Sequence, residues 1–255
     1  MKDYKYLILA EPETGILEVT LSRPKQLNAL SMNMVDELFH LTSELRGALA
    51  NKYKVVIIRG DGRAFCSGGD IKEFLNIYEQ DNSTIENYIS KILRFAKVWY
   101  ELPIPTIASL HGAVAGGGAS LALACDIRIA AENTKIYFNF SRIGLIPDMG
   151  AHYLLPKLIG EARSLEIFYT GRPILPSEAI QIGLVNQVVG NEELQQQSVE
   201  YARQFTAGNV YKHIKQLVKA SNDSLDLTLH QEAILQTERF KSKEFKEYMD
   251  VFFNK

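Results

Sequence analysis

Short apolar runs that read as strands alternate along this chain with stretches of helical period, and that alternation limits the fold more than any other feature. Val55-Val56-Ile57-Ile58, within the strand expected over Lys54 to Arg59, is a β-branched run that suits a strand buried on both faces. Before it, Ser31 stands as a cap ahead of Met34, Val35, Leu38, Leu41, Leu45 and Leu49, which fall at helical spacing up to about Ala50. After it come a helical pattern from about Thr84 to Glu101 and a strand from Ile104 to Leu110 interrupted by Pro105. A short apolar helix opened by glycines 116 to 118 and a strand from Ile127 to Ala130 follow. Tyr6 to Leu21 reads as a β-hairpin around Glu13-Thr14-Gly15, where glycine supplies the positive φ of a tight turn. The order predicts an α/β architecture with active groups on loops at strand ends.

From about Asn191 the chain becomes mostly helical and polar, with Leu225, Leu229, Ala233, Leu235 and Phe240 as an imperfect apolar stripe. No low-complexity linker precedes it. Residues 1–190 are therefore read as the core and 191–255 as a helical appendage to it.

The 255 residues are 46% hydrophobic, enough for a sizeable core. Twenty-eight basic residues against 30 acidic ones leave a net charge of −2 with no long block of either sign, so no nucleic-acid partner is expected. No run approaches the roughly 18 apolar residues that a membrane span needs, and the N-terminus leads straight into a strand-like stretch. The expectation is a soluble, unexported chain. Cys66 and Cys125 sit in apolar or glycine-rich segments and read as reduced core thiols, which favours the cytoplasm. Metal-ligand spacing is absent, as is any Ser-His-Asp order.

Two glycine-rich loops carry the chemistry. Phe65-Cys66-Ser67-Gly68-Gly69-Asp70-Ile71-Lys72 and Gly112-Ala113-Val114-Ala115-Gly116-Gly117-Gly118 each follow an expected strand and lead into a helix. Glycine lets a ligand approach the backbone, and a helix start leaves unpaired N–H groups with partial positive charge. Tight turns alone would also account for either loop. Neither matches a Walker or dinucleotide-binding pattern.

Together with Arg23-Pro24-Lys25-Gln26-Leu27-Asn28-Ala29-Leu30, Ile107 to Gly112, Leu121 to Arg128, Ile143-Gly144-Leu145-Ile146-Pro147 and Gly171 to Val185, these loops resemble the crotonase (enoyl-CoA hydratase/isomerase) superfamily. The matches run in order over roughly residues 16 to 190. The resemblance implies an α/β fold of repeated ββα units with C-terminal helices that help assemble homotrimers or dimers of trimers, and an acyl-CoA substrate with no cofactor beyond its CoA moiety. It implies that the amides of Gly69 and Gly117 hold the thioester oxygen. It places CoA along Lys25, Gln26 and Leu27 and along Ser67, Gly68, Gly69, Asp70 and Ile71, with Arg23 and Lys25 available to its phosphates.

The family's two hydratase glutamates are replaced by Ser120 and Phe140. Serine is a poor base near neutrality and phenylalanine carries no proton, so two-glutamate hydration is disfavoured. Asp148 stands where isomerases resembling the epoxyphenylacetyl-CoA isomerase branch carry an aspartate, and one carboxylate suffices to move a proton along an acyl chain. An aspartate behind Pro147 also suits a turn or the cap of a helix starting near Met149. Phe140 and Tyr137 read as pocket wall or as core, Ser120 as a residue that orients substrate or as a small helix residue, and His111 and His152 as bystanders. The expected activity is double-bond or ring isomerisation of an acyl-CoA in fatty-acid or aromatic catabolism, with a hydratase, or a family member that only binds acyl-CoA or RNA, as alternatives.

Overall fold

The computed structural model describes residues 3–208, 210–220 and 225–253, apart from the side chains of 220, 225–227, 244, 252 and 253. The N-terminal hairpin is β1 (Leu7–Glu13) and β2 (Ile16–Leu21), turning at Gly15 with φ of 84°. Then come α1 (Met32–Arg46), β3 (Val55–Gly60), α2 (Ile71–Tyr78) and α3 (Asn82–Tyr100). β4 (Thr106–Leu110), β5 (Ala113–Ala115), α4 (Gly117–Leu123), β6 (Ile127–Ala131) and β7 (Lys135–Tyr137) form the middle of the chain. The remainder comprises α5 (Ala151–Ile159), α6 (Glu161–Thr170), β8 (Pro173–Ile174), α7 (Pro176–Gln181) and β9 (Gln187–Val189). It closes with α8 (Leu194–Arg203), α9 (Val210–Ala220), α10 (Leu225–Phe240) and α11 (Lys243–Phe253).

A six-stranded sheet runs β1-β2-β3-β4-β6-β9, parallel except for the hairpin, and a three-stranded sheet runs β5-β7-β8. The repeating unit is a long strand in the first sheet, a turn, a short strand in the second sheet and a helix. β4-β5-α4 shows it fully. β3 is followed by the isolated bridge of Cys66 to Val114 and then α2. Side chains alternate across a strand. Val55 and Ile57 accordingly pack towards α8 with Ile107, Ile129 and Leu194, while Val56 and Ile58 enter the larger core with α1 and α3. Both faces are covered, which is why the run carries no polar alternation.

Boundaries follow local chemistry. Ser31 Oγ accepts the Met34 N–H as the cap of α1, but the helix ends at Arg46, a turn before Ala50, where Gly47 closes it. β4 begins after Pro105, which has no N–H to give and contributes only its carbonyl to Val56. The helix expected near Met149 starts at Ala151, because Met149 and Gly150 both take positive φ, 52° and 78°. β5, β7, β8 and β9 are two or three residues each and carry no sequence period.

The C-terminal helices pack back on the core. Lys215 Nζ lies 2.6 Å from Asp126 Oδ2 and donates to the Ile104 carbonyl at 2.8 Å, and Lys219 Nζ lies 3.2 Å from Asp126 Oδ1. These contacts fasten α9 to the segments that lead into β4 and β6. On α10, Leu229 and Phe240 are buried as the stripe predicts. Leu235, assigned to the same stripe, is instead half exposed, and the buried face is completed by Glu232, Gln236 and Thr237. The side chain of Leu225 lies outside the described residues.

Candidate active site

The two glycine loops meet. Leu30 bridges across Gly69: its N–H donates to the Gly68 carbonyl at 2.8 Å, and its carbonyl accepts the Asp70 N–H at 3.1 Å. A parallel bridge of this kind bonds the neighbours of Gly69 and turns its own N–H the other way. Gly117 is the first residue of α4, so its N–H has no partner within the helix. Among the described residues neither amide donates to a protein acceptor. They are also close: a Cβ on Gly68 would lie 3.6 Å from the Gly117 nitrogen, and one on Gly117 would lie 3.8 Å from the Gly69 nitrogen. Side chains are excluded from this junction. A Cβ at Gly69 would sit 2.3 Å from Phe74 Cζ, and one at Gly118 would sit 2.5 Å from the Cys66 carbonyl.

Gly69, Gly117 and Asp148 line one pocket that is partly open to solvent. Its walls come from α1 through Met32 and Val35, from α3 through Tyr88 and Ile89, and from α10 through Gln236 and Phe240. Among the described residues, Asp148 is the one carboxylate on this lining. Ser120, fully buried in α4, places its Oγ 3.5 Å from Asp148 Oδ1 and 3.3 Å from the Gly116 carbonyl. Asp148 keeps some surface open to the pocket, and protein encloses it elsewhere. Burial first, and the charge of Glu232 second, hold its carboxyl well above the usual aspartate range, with the Ser120 hydroxyl pulling weakly the other way. Its side chain does not cap α5, whose cap position is Gly150.

The residues assigned to CoA form a neighbouring strip. Lys25 and Gln26 are exposed in a 3₁₀ turn over Pro24–Gln26, and Leu27 follows with φ of 50°. Ser67 joins the two segments, its N–H donating to the Leu27 carbonyl at 3.0 Å and its Oγ to the Gln26 carbonyl at 3.3 Å. Gly68 has φ of 106°, and Ile71 opens α2. Asp70 caps α2 through the Lys72 N–H at 3.1 Å and pairs with Arg23 at 2.7 Å. Arg23 is thus already neutralised, contrary to the expectation that it stands ready for a phosphate, and Lys25 remains the exposed cation of the strip. Asn28 holds the turn by donating to the Asp61 and Ala64 carbonyls, both at 2.8 Å.

Other assignments resolve differently. Phe140 and Tyr137 do not line the pocket. Phe140 is buried in a 3₁₀ turn behind Gly116, and the aromatic wall is formed by Phe74, Tyr88 and Phe240. His111 lies off the pocket with Nε2 3.1 Å from the Gly62 carbonyl, and burial pushes its imidazole below the usual histidine range. His152 turns to Glu232, with Nδ1 3.1 Å from Oε2, rather than standing free in solvent. Sequence reasoning missed Tyr88, Glu232 and Gln236. The last two were visible only as polar interruptions, four residues apart, in an otherwise apolar helical stripe.

The enoyl-CoA hydratase/isomerase sequence model matches residues 11–255. The 1,2-epoxyphenylacetyl-CoA isomerase of Escherichia coli (strain K12) is 31% identical over 257 residues, 97% of this chain and 95% of that protein. A protein of Rhodobacter capsulatus called "Probable enoyl-CoA hydratase" is 32% identical over 257 residues, 98% of this chain and 96% of the other. The crystal structure of an enoyl-CoA hydratase from Mycobacterium avium subsp. paratuberculosis K-10 superposes with a TM-score of 0.86 at 29% identity, covering 99% and 97% of the two chains. The chain belongs to the enoyl-CoA hydratase/isomerase family and has its crotonase-like fold of ββα units with a C-terminal helical segment.

Proposed function

We propose that the protein isomerises acyl-CoA thioesters, with the Gly69 and Gly117 amides as oxyanion hole and Asp148 as the group that moves the proton. One observation carries this reading: among the described residues, two amides without a protein acceptor and a single carboxylate share a largely apolar pocket. In a 3-enoyl thioester, the Asp148 carboxylate takes a proton from C2. The electrons of that C–H bond delocalise onto the thioester oxygen, where the two amides stabilise the dienolate. The carboxylic acid then returns the proton at C4, leaving the double bond between C2 and C3 and the aspartate regenerated. Preformed donors lower such a barrier without reorganising, each by about 3–4 kcal/mol. A carboxyl raised by burial is a stronger base towards the weakly acidic C2 than one in water.

Hydration would call for a second acid–base group across the double bond, and Ser120 and Phe140 stand where the family's hydratases have glutamates. The CoA moiety would run along Lys25 to Leu27 and Ser67 to Ile71, and no further cofactor enters this scheme. Assembly into trimers or pairs of trimers belongs to the same reading, as does a cytoplasmic setting; among the described residues no helix is long and apolar enough to cross a membrane.

The test is Asp148→Asn against 3-hexenoyl-CoA, following conversion to 2-hexenoyl-CoA, with binding measured by calorimetry. The variant is expected to bind within about threefold of wild type and to lose at least about 10²-fold in kcat. Unchanged turnover would remove Asp148 from the reaction, and hydration of crotonyl-CoA at an ordinary enzymatic rate would transfer the protein to the hydratases.

A further inference from the structure

The loop that carries Asp148 has little regular structure of its own. From Gly144 to Gly150 it contains three positive-φ residues, Gly144 (71°), Met149 (52°) and Gly150 (78°), and Met149 is a buried non-glycine residue in that region. A left-handed conformation there is unfavourable unless neighbours enforce it. The enforcement comes from one face of α10. Glu232 Oε2 accepts the Gly150 N–H at 3.0 Å. One turn on, Gln236 Oε1 accepts the Ile146 N–H at 3.2 Å while its Nε2 donates to the Ile146 carbonyl at 3.3 Å. Arg239 Nε then donates to the Gly144 carbonyl at 2.7 Å. Positions 232, 236 and 239 fall on one helical face, so α10 grips the loop on both sides of Asp148.

Glu232 is an odd residue to find there. Its side chain is fully buried, Oε1 has no hydrogen-bond partner among the described residues, and His152 Nδ1 lies 3.1 Å from Oε2 without the alignment of a hydrogen bond. A glutamine at this position could accept the same Gly150 N–H without bringing a charge into the interior, where an incompletely partnered carboxylate is costly.

We infer that Glu232 is a positioning residue for Asp148, fixing its loop through the Gly150 amide and placing a negative charge behind its carboxyl. The inference rests on the proposed isomerase reading. The charge makes Asp148 harder to ionise and therefore more basic once ionised, while the amide bond fixes where that base points. Among the described residues, the other charged or titratable groups facing Asp148 or the groups that hold its loop include Tyr88 on α3, whose phenol feels Glu73, Asp148 and Asp70, then His152 on α5 beside Glu232 and Arg239 on α10 at the Gly144 carbonyl. Glu73 and Asp70 occupy the Gly69 side, with Arg23 against Asp70.

Two substitutions separate reach from charge. Glu232→Gln keeps the length and an acceptor for Gly150 but removes the charge. The rising limb of the pH–rate profile for 3-hexenoyl-CoA, which reports ionisation of Asp148, is expected to move to lower pH by about one unit. The protein should remain at least as heat-stable as wild type. Glu232→Asp keeps the charge but draws back from Gly150, and is expected to lower kcat about tenfold with the limb unmoved and KM within about threefold. A Glu232→Gln limb that coincides with wild type, or a Glu232→Gln protein that does not fold, overturns the role of the charge. A Glu232→Asp enzyme with wild-type kcat overturns the positioning role. Asp148→Asn run in parallel keeps the two readings apart: if it retains turnover the isomerase assignment fails, and if it loses turnover the Glu232 results stand or fall on their own.

Discussion

Burial and the charge of Glu232 both push the carboxyl of Asp148 towards its protonated form, so the surroundings that suit it to the proposed role of base also make it a liability to the fold. The sign follows from proton linkage. Below about pH 4, the ordinary aspartate value, folded and unfolded chains both hold the proton and Asp148 costs nothing. As pH rises further the unfolded chain releases the proton while the folded one retains it. Stability therefore falls until the folded-state pKa is passed, and stays lower above it. Asp148→Asn does not titrate. In thermal melts across a pH series its advantage over wild type is expected to be absent near pH 4 and to grow towards neutrality. A difference that does not vary with pH would mean that Asp148 is not held in its acidic form. Asp148 itself was legible in the sequence, from its place behind Gly144-Leu145-Ile146-Pro147. The charge of Glu232, which adds to burial in raising its proton affinity, was not, because Glu232 lies 84 positions further along the chain.

At the scale of elements, helices and long strands could be read from apolar period and caps, since those depend on neighbours within a turn or a strand. The α1 cap at Ser31 and the buried run of β3 are cases of this. The second sheet could not be read, because strands of two or three residues exist only through their partners across the sheet. The attachment of α9 is another such feature. The Asp126 carboxylate takes the Thr106 N–H at 2.9 Å and its hydroxyl at 3.0 Å as well as Lys215 and Lys219, and burial and Lys215 lower the Lys219 ammonium to about 8 despite that carboxylate. Asp126→Asn would leave buried Lys215 and Lys219 facing each other. Urea unfolding is expected to show a loss of about 3–5 kcal/mol, the usual consequence of breaking a buried pair from one side. A loss below about 1 kcal/mol would show that the helix is held by its apolar contacts instead.

Across the whole molecule, the pocket takes its walls from α1, α3 and α10 and the groups proposed to react from the loops after β3, after β5 and before α5, so a ligand bound there would contact segments from most of the chain. Hexanoyl-CoA, which lacks the double bond to be moved, is expected to stabilise wild type and Asp148→Asn alike, by about 2.7 kcal/mol at a hundredfold excess over Kd. Failure of either protein to gain heat stability would mean that it does not bind the thioester. The sequence by itself determined the α/β alternation, the two glycine turns and the family, because strand period, helix caps and the backbone freedom of glycine are properties of a few adjacent residues. Only the tertiary structure decided that the two amides adjoin, that Arg23 is bound to Asp70, and that Glu232 and Gln236 of a distant helix hold the Asp148 loop. Each of these depends on a contact between segments far apart in the chain, and no local pattern records which distant partner a polar group will find.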